Sequence, residues 1–250
     1  MMRGFYNLTS GMLSQGRRLD VVANNMTNIS TAGYKAEMYT DRTFDEVMVT
    51  RIGNKIKEPN QTMESYQSHI LAPDQLYTDF GQSSFEETEL PLDFAIQGEG
   101  FFAIDTGDGI AYTRAGSFTL DDNGYLCLSE LGFVLDREGE RIQLPTDKLE
   151  ADKQGAIYTE EGEYLATLGV YRFEDNEVLE RTPYGLFTGQ GAQVNEDVVI
   201  HHKWVERSNV DMIKEMTKMM VTQRALQSAA QMSKIYDQVI TKAVNDIGRL

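Results

Sequence analysis

From residue 209 to residue 248, apolar side chains return at alternating steps of three and four, and no other feature constrains this chain so tightly. Met216, Met219, Leu226, Ala230, Ile240, Val244 and Ile247 keep that rhythm, with Gln223, Ser233 and Asp237 as its polar interruptions. Ala225, Ala229, Met232, Tyr236, Val239 and Ala243 form a second stripe beside the first. The spacing predicts a helix with a heptad seam, capped by Ser208 or Asn209. At 1.5 Å per residue it makes a rod of about 60 Å, and two stripes on one rod require several neighbours. Met212, Met216, Met219, Met220 and Met232 suit neighbours of differing shape, although the same residues also serve as ordinary core.

The N-terminus carries a shorter version of the pattern. Phe5, Leu8, Met12, Leu19, Val22 and Met26 alternate by threes and fours, with Gln15 interrupting. Between the two ends the pattern changes. "LDFAIQGEGFFAIDTGDGIAYTRAGSFTLDDNGYLCLSELGFVL" is a series of short apolar runs separated by Gly, Asp and Asn, which reads as antiparallel strands and tight turns. The expected fold is therefore α+β: terminal helices pairing as a coiled-coil-like stalk, and a central, mainly antiparallel β domain. The organisation predicted is an N-terminal helix and Asn-rich motif at 1–34, an extended connecting segment at 35–75, an acidic β domain at 76–202 and the C-terminal helix at 203–250. Within the connecting segment Phe44, Val47, Met48 and Ile52 could prolong a helix, whereas "GNKIKEPNQTMESYQS" reads as loop.

Charge is segregated in the same way. Residues 1–50 hold 5 basic and 5 acidic side chains, residues 203–250 hold 8 and 5, and the middle holds 10 and 29. The overall charge of −16 excludes nucleic acid as an expected partner, because phosphate binding needs clustered Lys and Arg. Ends of low net charge can approach copies of themselves without strong repulsion. No apolar run reaches the roughly 20 residues that span a bilayer, and "MMRGFYNLTSGM" lacks the apolar core of a secretory signal.

Sites for chemistry fail on spacing. Gly98-Glu99-Gly100 is followed by "FFAID", a strand, where a dinucleotide loop needs a helix. Asp121, Asn123, Gly124 and Glu130 fall on places of a calcium loop, but Thr119 stands where its first Asp belongs. His201 and His202 are adjacent, so in a strand they face opposite ways. Cys127 lies in an apolar run and reads as core. No cofactor, metal, small-molecule substrate or catalytic group is expected.

"SGMLSQGRRLDVVANNMTNISTAGYK", "YTDFGQSSFEETELPLDFAIQGEGFFAI", "AYTRAGSFTLDDNGYL" and "VERSNVDMIKEMTKMMVTQRALQSAAQMSKIYDQ" closely resemble, in that order, blocks of the flagellar basal-body rod and hook proteins. The rod members are nearest, and "FDEVMVTRIGN" tilts the resemblance toward the distal rod. Ala32 departs from the family's usual Pro or Thr, and "TKAVNDIGRL" runs past its usual end. The resemblance implies a structural subunit of the basal body that assembles helically with copies of itself, other rod proteins and the hook. It also implies delivery by the flagellar export apparatus without a cleaved signal. Leu19 to Lys35 then becomes a helix end and a loop that meets adjacent subunits. Asn24, Asn25 and Asn28 would be its hydrogen-bonding set, Gly33 would ease its turn, and Gly33 and Tyr34 would join the inter-subunit contacts. Phe5, Leu8, Met12, Leu19, Val22, Asn209, Met216, Met219, Gln223, Leu226, Ala230, Ile240 and Val244 are the accompanying inter-subunit packing set. Alternative readings are a hook-type or rod–hook junction subunit, a non-flagellar binding module with a private coiled coil, and an acidic envelope-associated hydrolase.

Overall fold

The computed structural model describes residues 2–43, 47–49, 65–67, 71–129 and 131–247. They form two compact units. The first comprises Met1–Met26, Glu37–Tyr77 and Met212–Leu250, and the second comprises Thr27–Ala36 and Thr78–Asp211.

The first unit holds helix α1, Met2–Thr27, and helix α2, Met212–Ile247. Its strands are paired two by two: Glu37–Thr43 with Leu71–Thr78, and Val47–Val49 with Ser65–Gln67. The helix suggested by Val47 and Met48 is thus replaced by a strand, and Phe44 and Ile52 lie outside the described residues. β-Branched Val47 and Val49 flank Met48, a composition that suits a pleated ribbon better than a helix.

On α1 the predicted seam turns inward: Val22 is buried and Leu8, Met12, Leu19 and Met26 are half-buried. Thr9, Leu13, Arg17, Asp20 and Asn24 share the outward face. On α2 the heptad rhythm holds but its register moves. The inward positions are Glu215, Met219, Thr222, Leu226, Ala229, Ser233, Tyr236, Ile240 and Ala243, alternating by four and three. Met216, Gln223, Ala230 and Val244 are exposed instead. Polar side chains with internal partners displaced the apolar ones, since Glu215 accepts hydrogen bonds from Asn25 and Lys218. The expected caps also move. α2 begins at Met212, after Asp211, while Ser208 Oγ accepts the Val210 N–H ahead of the helix.

The second unit is antiparallel throughout its described pairings. Its main sheet runs in the order Glu180–Arg181, Phe187–Thr188, Ile110–Thr113, Phe101–Asp105, Gly132–Val134, Leu126–Leu128, Thr119–Leu120. Val170–Arg172 joins this sheet between Phe101–Asp105 and Gln193–Val194. A second sheet is Leu149–Ala151, Ala156–Thr159, Tyr164–Thr167. Val199–His202 pairs with Phe94–Gln97, and Trp204–Glu206 with Phe85–Glu87.

Phe101–Asp105 shows why "FFAID" lacks polar alternation. Phe102 and Ile104 enter one core with Phe94, Ile96, Leu126 and Val134, while Phe101 and Ala103 enter another with Tyr112, Phe173 and Phe187. A strand covered on both faces must be apolar on both. Each buried Phe contributes roughly 2–3 kcal/mol. The loop that approaches a calcium pattern is closed by its own side chain: Asp121 Oδ1 accepts the N–H groups of Asn123 and Tyr125 at 2.9 and 2.7 Å. Those backbone donors, Tyr125 first, hold the Asp121 carboxyl below its usual range. Such a hairpin has no need of an ion.

Candidate functional site

Four short stretches, "STAGYKA", "FGQS", "RAG" and "VERSN", are far apart in the sequence and meet in the second unit. At their centre lies Glu206, the last residue of Trp204–Glu206, with a fully buried side chain. Its Oε1 accepts Lys35 Nζ at 2.7 Å and the Ser83 N–H at 2.8 Å. Its Oε2 accepts Arg114 Nη1 at 3.3 Å. Lys35 is equally inaccessible, at 0% side-chain exposure, and also donates to the Gly81 carbonyl at 2.9 Å. Arg114 donates to the Gly98 carbonyl at 2.6 Å and the Ile96 carbonyl at 3.3 Å. Its Nε has no oxygen partner among the described residues, and its guanidinium lies 5.4 Å from the Phe101 ring centroid.

Burial lowers the pKa of the Lys35 ammonium and of the Arg114 guanidinium, with the Glu206 charge opposing the shift in both. Two cations share one carboxylate, so the arrangement depends on Glu206 more than on either partner. A buried ion set of this kind adds little net stability, because the cost of desolvating its charges offsets their attraction.

The backbone enters the site just as closely. Gly33 donates its N–H to the Glu206 carbonyl at 2.7 Å and adopts φ +69°. A Cβ at Gly33 would stand 2.2 Å from the Ala115 nitrogen. Arg181 caps the segment from outside, donating to the Lys35 carbonyl at 3.2 Å and stacking 4.3 Å from the Tyr34 ring centroid. Asn209 completes the closure. Its Oδ1 accepts the Ala36 N–H at 2.7 Å, and its Nδ2 donates to the Asp79 carbonyl at 2.8 Å. The site can hold chain segments in register. Its central acid, Glu206, is fully buried and already held by three donors.

The predicted residues divide between the units. Gly33, Tyr34 and Asn209 belong to this clamp, where Gly33 and Tyr34 are buried against their own chain. Asn25 is 1% exposed in the first unit. Its Oδ1 accepts the Glu37 N–H at 3.0 Å, and its Nδ2 donates to the Glu37 carbonyl at 2.8 Å and Glu215 Oε2 at 3.4 Å. That one amide joins the ends of α1, the strand and α2. Asn28 accepts the Thr31 hydroxyl at 3.2 Å in a local turn, and Asn24 is exposed. The side chain of Phe5 lies outside the described residues.

Asn25→Ala removes both hydrogen bonds to the Glu37 backbone and the one to Glu215, and should cost about 2–3 kcal/mol. Asn25→Asp should cost more, since it sets a second carboxylate against Glu215. A urea series on the helical circular dichroism signal measures both; equal midpoints for Asn25→Asp and the parent protein would contradict this assignment.

Lys35, Arg114 and Glu206 were not singled out by sequence pattern. Two of them carried a signal: Lys35 and Arg114 are each the lone charge of a small or apolar run ("AGYKA", "YTRAGS"), whereas Glu206 sits beside Arg207 in "WVERS".

Among the described residues no group of three His, Cys, Asp or Glu side chains could hold a metal, and no helix is long and apolar enough to cross a membrane. Three family models match. Residues 5–35 match "Flagella basal body rod protein", residues 95–159 match "Flagellar hook protein FlgE/F/G D1 domain", and residues 202–246 match "Flagellar basal body rod FlgEFG protein C-terminal". Among curated relatives, the chain is 31% identical to the flagellar basal-body rod protein FlgG of Bacillus subtilis, over 98% of this chain and 99% of that protein. It is also 31% identical to the rod protein FlgF of Mesorhizobium japonicum, over 99% of both chains. The flagellar hook-basal body complex protein FlhO of Bacillus subtilis is 28% identical over the full length of both.

Proposed function

This chain belongs to the flagellar basal-body rod protein family, a structural and not an enzymatic one, and we propose that it is a rod subunit that self-assembles helically through its terminal helices. α1 and α2 pair along their inward heptad faces, and copies pack on the outward faces to build the drive-shaft tube between motor and hook. Its further partners are other rod proteins, the hook and the export apparatus, and its place is the basal body. "FDEVMVTRIGN" supports a position in the distal rod.

One observation carries this reading. α2 leaves Met212, Ile213, Met216, Met220, Val221, Met232, Ile235, Val239 and Val244 exposed, with Ile213 at 78% and Val221 at 63%. Helices gain most of their stability from packing rather than propensity. Burying these nine side chains at roughly 1.5–3 kcal/mol each supplies well over 10 kcal/mol before ordering costs. A subunit of a continuous assembly has a use for such a surface, because head-to-tail contacts that do not close a ring propagate as a helix.

The paired substitution Ile213→Asp with Val221→Asp tests it. The purified variant should keep the elution volume and circular dichroism of the free parent protein, while failing to restore swimming to cells that lack their own copy. Normal swimming would exclude this face from assembly. Limited proteolysis supplies the complement: in the free subunit, cuts should concentrate in α1 and α2, outside the clamped segments 33–36 and 205–209. A wholly resistant chain in a discrete small oligomer would favour a private coiled coil.

A further inference from the structure

His202 closes the strand Val199–His202 and is half-buried, its ring stacked on Phe94 at a centroid distance of 5.3 Å and an angle of 22°. Both ring nitrogens are engaged. Nε2 lies 2.8 Å from the Pro91 carbonyl oxygen, and Nδ1 lies 3.4 Å from the Ala151 backbone nitrogen. A carbonyl can only accept, so Nε2 carries the proton. A backbone N–H can only donate, so Nδ1 is bare. The neutral Nε2–H tautomer is therefore selected by two neighbours from different elements: Pro91 precedes Phe94–Gln97, and Ala151 ends Leu149–Ala151.

We propose that His202 is an acid-sensitive fastener that joins the Leu149–Thr167 sheet to the strand Val199–His202 and the Pro91–Asp93 segment, and that its protonation loosens this junction. A second ring proton would sit on Nδ1, facing the Ala151 N–H, so one hydrogen bond becomes a contact between two donors. The charged groups around the ring pull in opposite directions. Lys203, next in the chain, disfavours the imidazolium, and Glu150, on Leu149–Ala151, favours it. Asp93 belongs to the segment that carries Pro91 and is buried, with its carbonyl accepting the Lys203 N–H at 2.8 Å. Phe94 presents only its ring. His201 points the other way, with Nε2 at 2.8 Å from Gln97 Oε1. Burial is the leading reason why the His202 pKa lies below the usual histidine value.

The sign of the pH effect follows. The unfolded ring takes up its proton near pH 6.5, and the folded ring does so at lower pH. The contribution is complete above about pH 6.5, falls as pH drops from there to the folded pKa, and is constant below it. Each unit of separation corresponds to a tenfold loss in the folding constant. This acid response concerns the second unit alone and does not rest on the rod reading.

The test uses the purified full chain. Long-range 1H–15N spectra of the imidazole should show the Nε2–H tautomer at pH 7.5 and titration below pH 6.5. Urea midpoints followed by Trp204 fluorescence, the chain's one tryptophan, should fall between pH 7.5 and pH 5 by more in the parent protein than in His202→Gln. Titration of His202 at or above pH 6.5, or parallel pH slopes for parent and variant, would overturn the proposal. If His202→Gln does not fold, the imidazole titration of the parent protein decides alone.

Discussion

Glu206→Gln is expected to destabilise the second unit by about 3–5 kcal/mol, the typical cost of removing one partner from a buried ion set. The glutamine keeps one oxygen for Lys35 and Ser83, but its amide hydrogens meet Arg114 Nη1, which now has no acceptor at that position. Two buried cations are left without an anion between them. Urea unfolding followed by Trp204 fluorescence measures the loss. The companion experiment replaces the whole set: Lys35→Met and Arg114→Met together with Glu206→Leu should recover most of the stability, because the penalty arises from uncompensated charge rather than from a missing attraction. A single Glu206→Gln variant as stable as the parent protein would mean that solvent reaches this carboxylate. If the triple variant is stable but swimming is still lost, the ion set acts by fixing the register of 33–36 against 205–209.

Gly33→Ala is expected to cost roughly 4 kcal/mol or more, from two sources. A left-handed residue other than glycine costs about 1–3 kcal/mol, and forcing a methyl into packed backbone costs a further 1–3 kcal/mol or more. At Gly33 the intruding carbon would meet the Ala115 nitrogen at 2.2 Å and the Arg114 carbonyl oxygen at 2.4 Å, and backbone atoms cannot rotate away as side chains do. Gly139→Ala is the control. Gly139 has φ +86° but nothing within 4 Å of the added carbon, so it reports the conformational term alone. The difference between the two urea midpoints isolates the close approach of the chain at Gly33. Equal losses would show that the 33–36 segment can shift away from Ala115 at little cost.

Both variants act on residues that periodicity does not detect, and the reason is physical. Hydrophobic spacing reports which face of an element is apolar, so it found the inward seam of α1 through Leu8, Met12, Leu19 and Val22. On α2 the seam it picked out includes Met216, Gln223, Ala230 and Val244, which lie one residue beside the inward positions, because Glu215 and Thr222 are buried there instead. No scale of apolarity anticipates a buried glutamate whose partner, Asn25, lies 190 residues away. The amide-rich stretch was legible as a helix end and a turn, and Asn28 with Thr31 makes the turn while Asn24 and Asn25 remain within α1. That Asn25 would turn inward while Asn24 stays exposed depended on where Glu37 and α2 came to lie.

The sequence by itself determined the α+β class, the helical ends, the antiparallel middle, and the family, through motif blocks whose order and content are local properties of the chain. Tertiary structure alone decided why several of those blocks hold the residues they do. Gly33, Lys35, Arg114, Glu206 and Asn209 are separated by up to 176 positions in the numbering and have no shared period. A single carboxylate becomes essential only when folding removes water from around two cations, so desolvation, which exists only in the assembled core, turns scattered charges into one clamp.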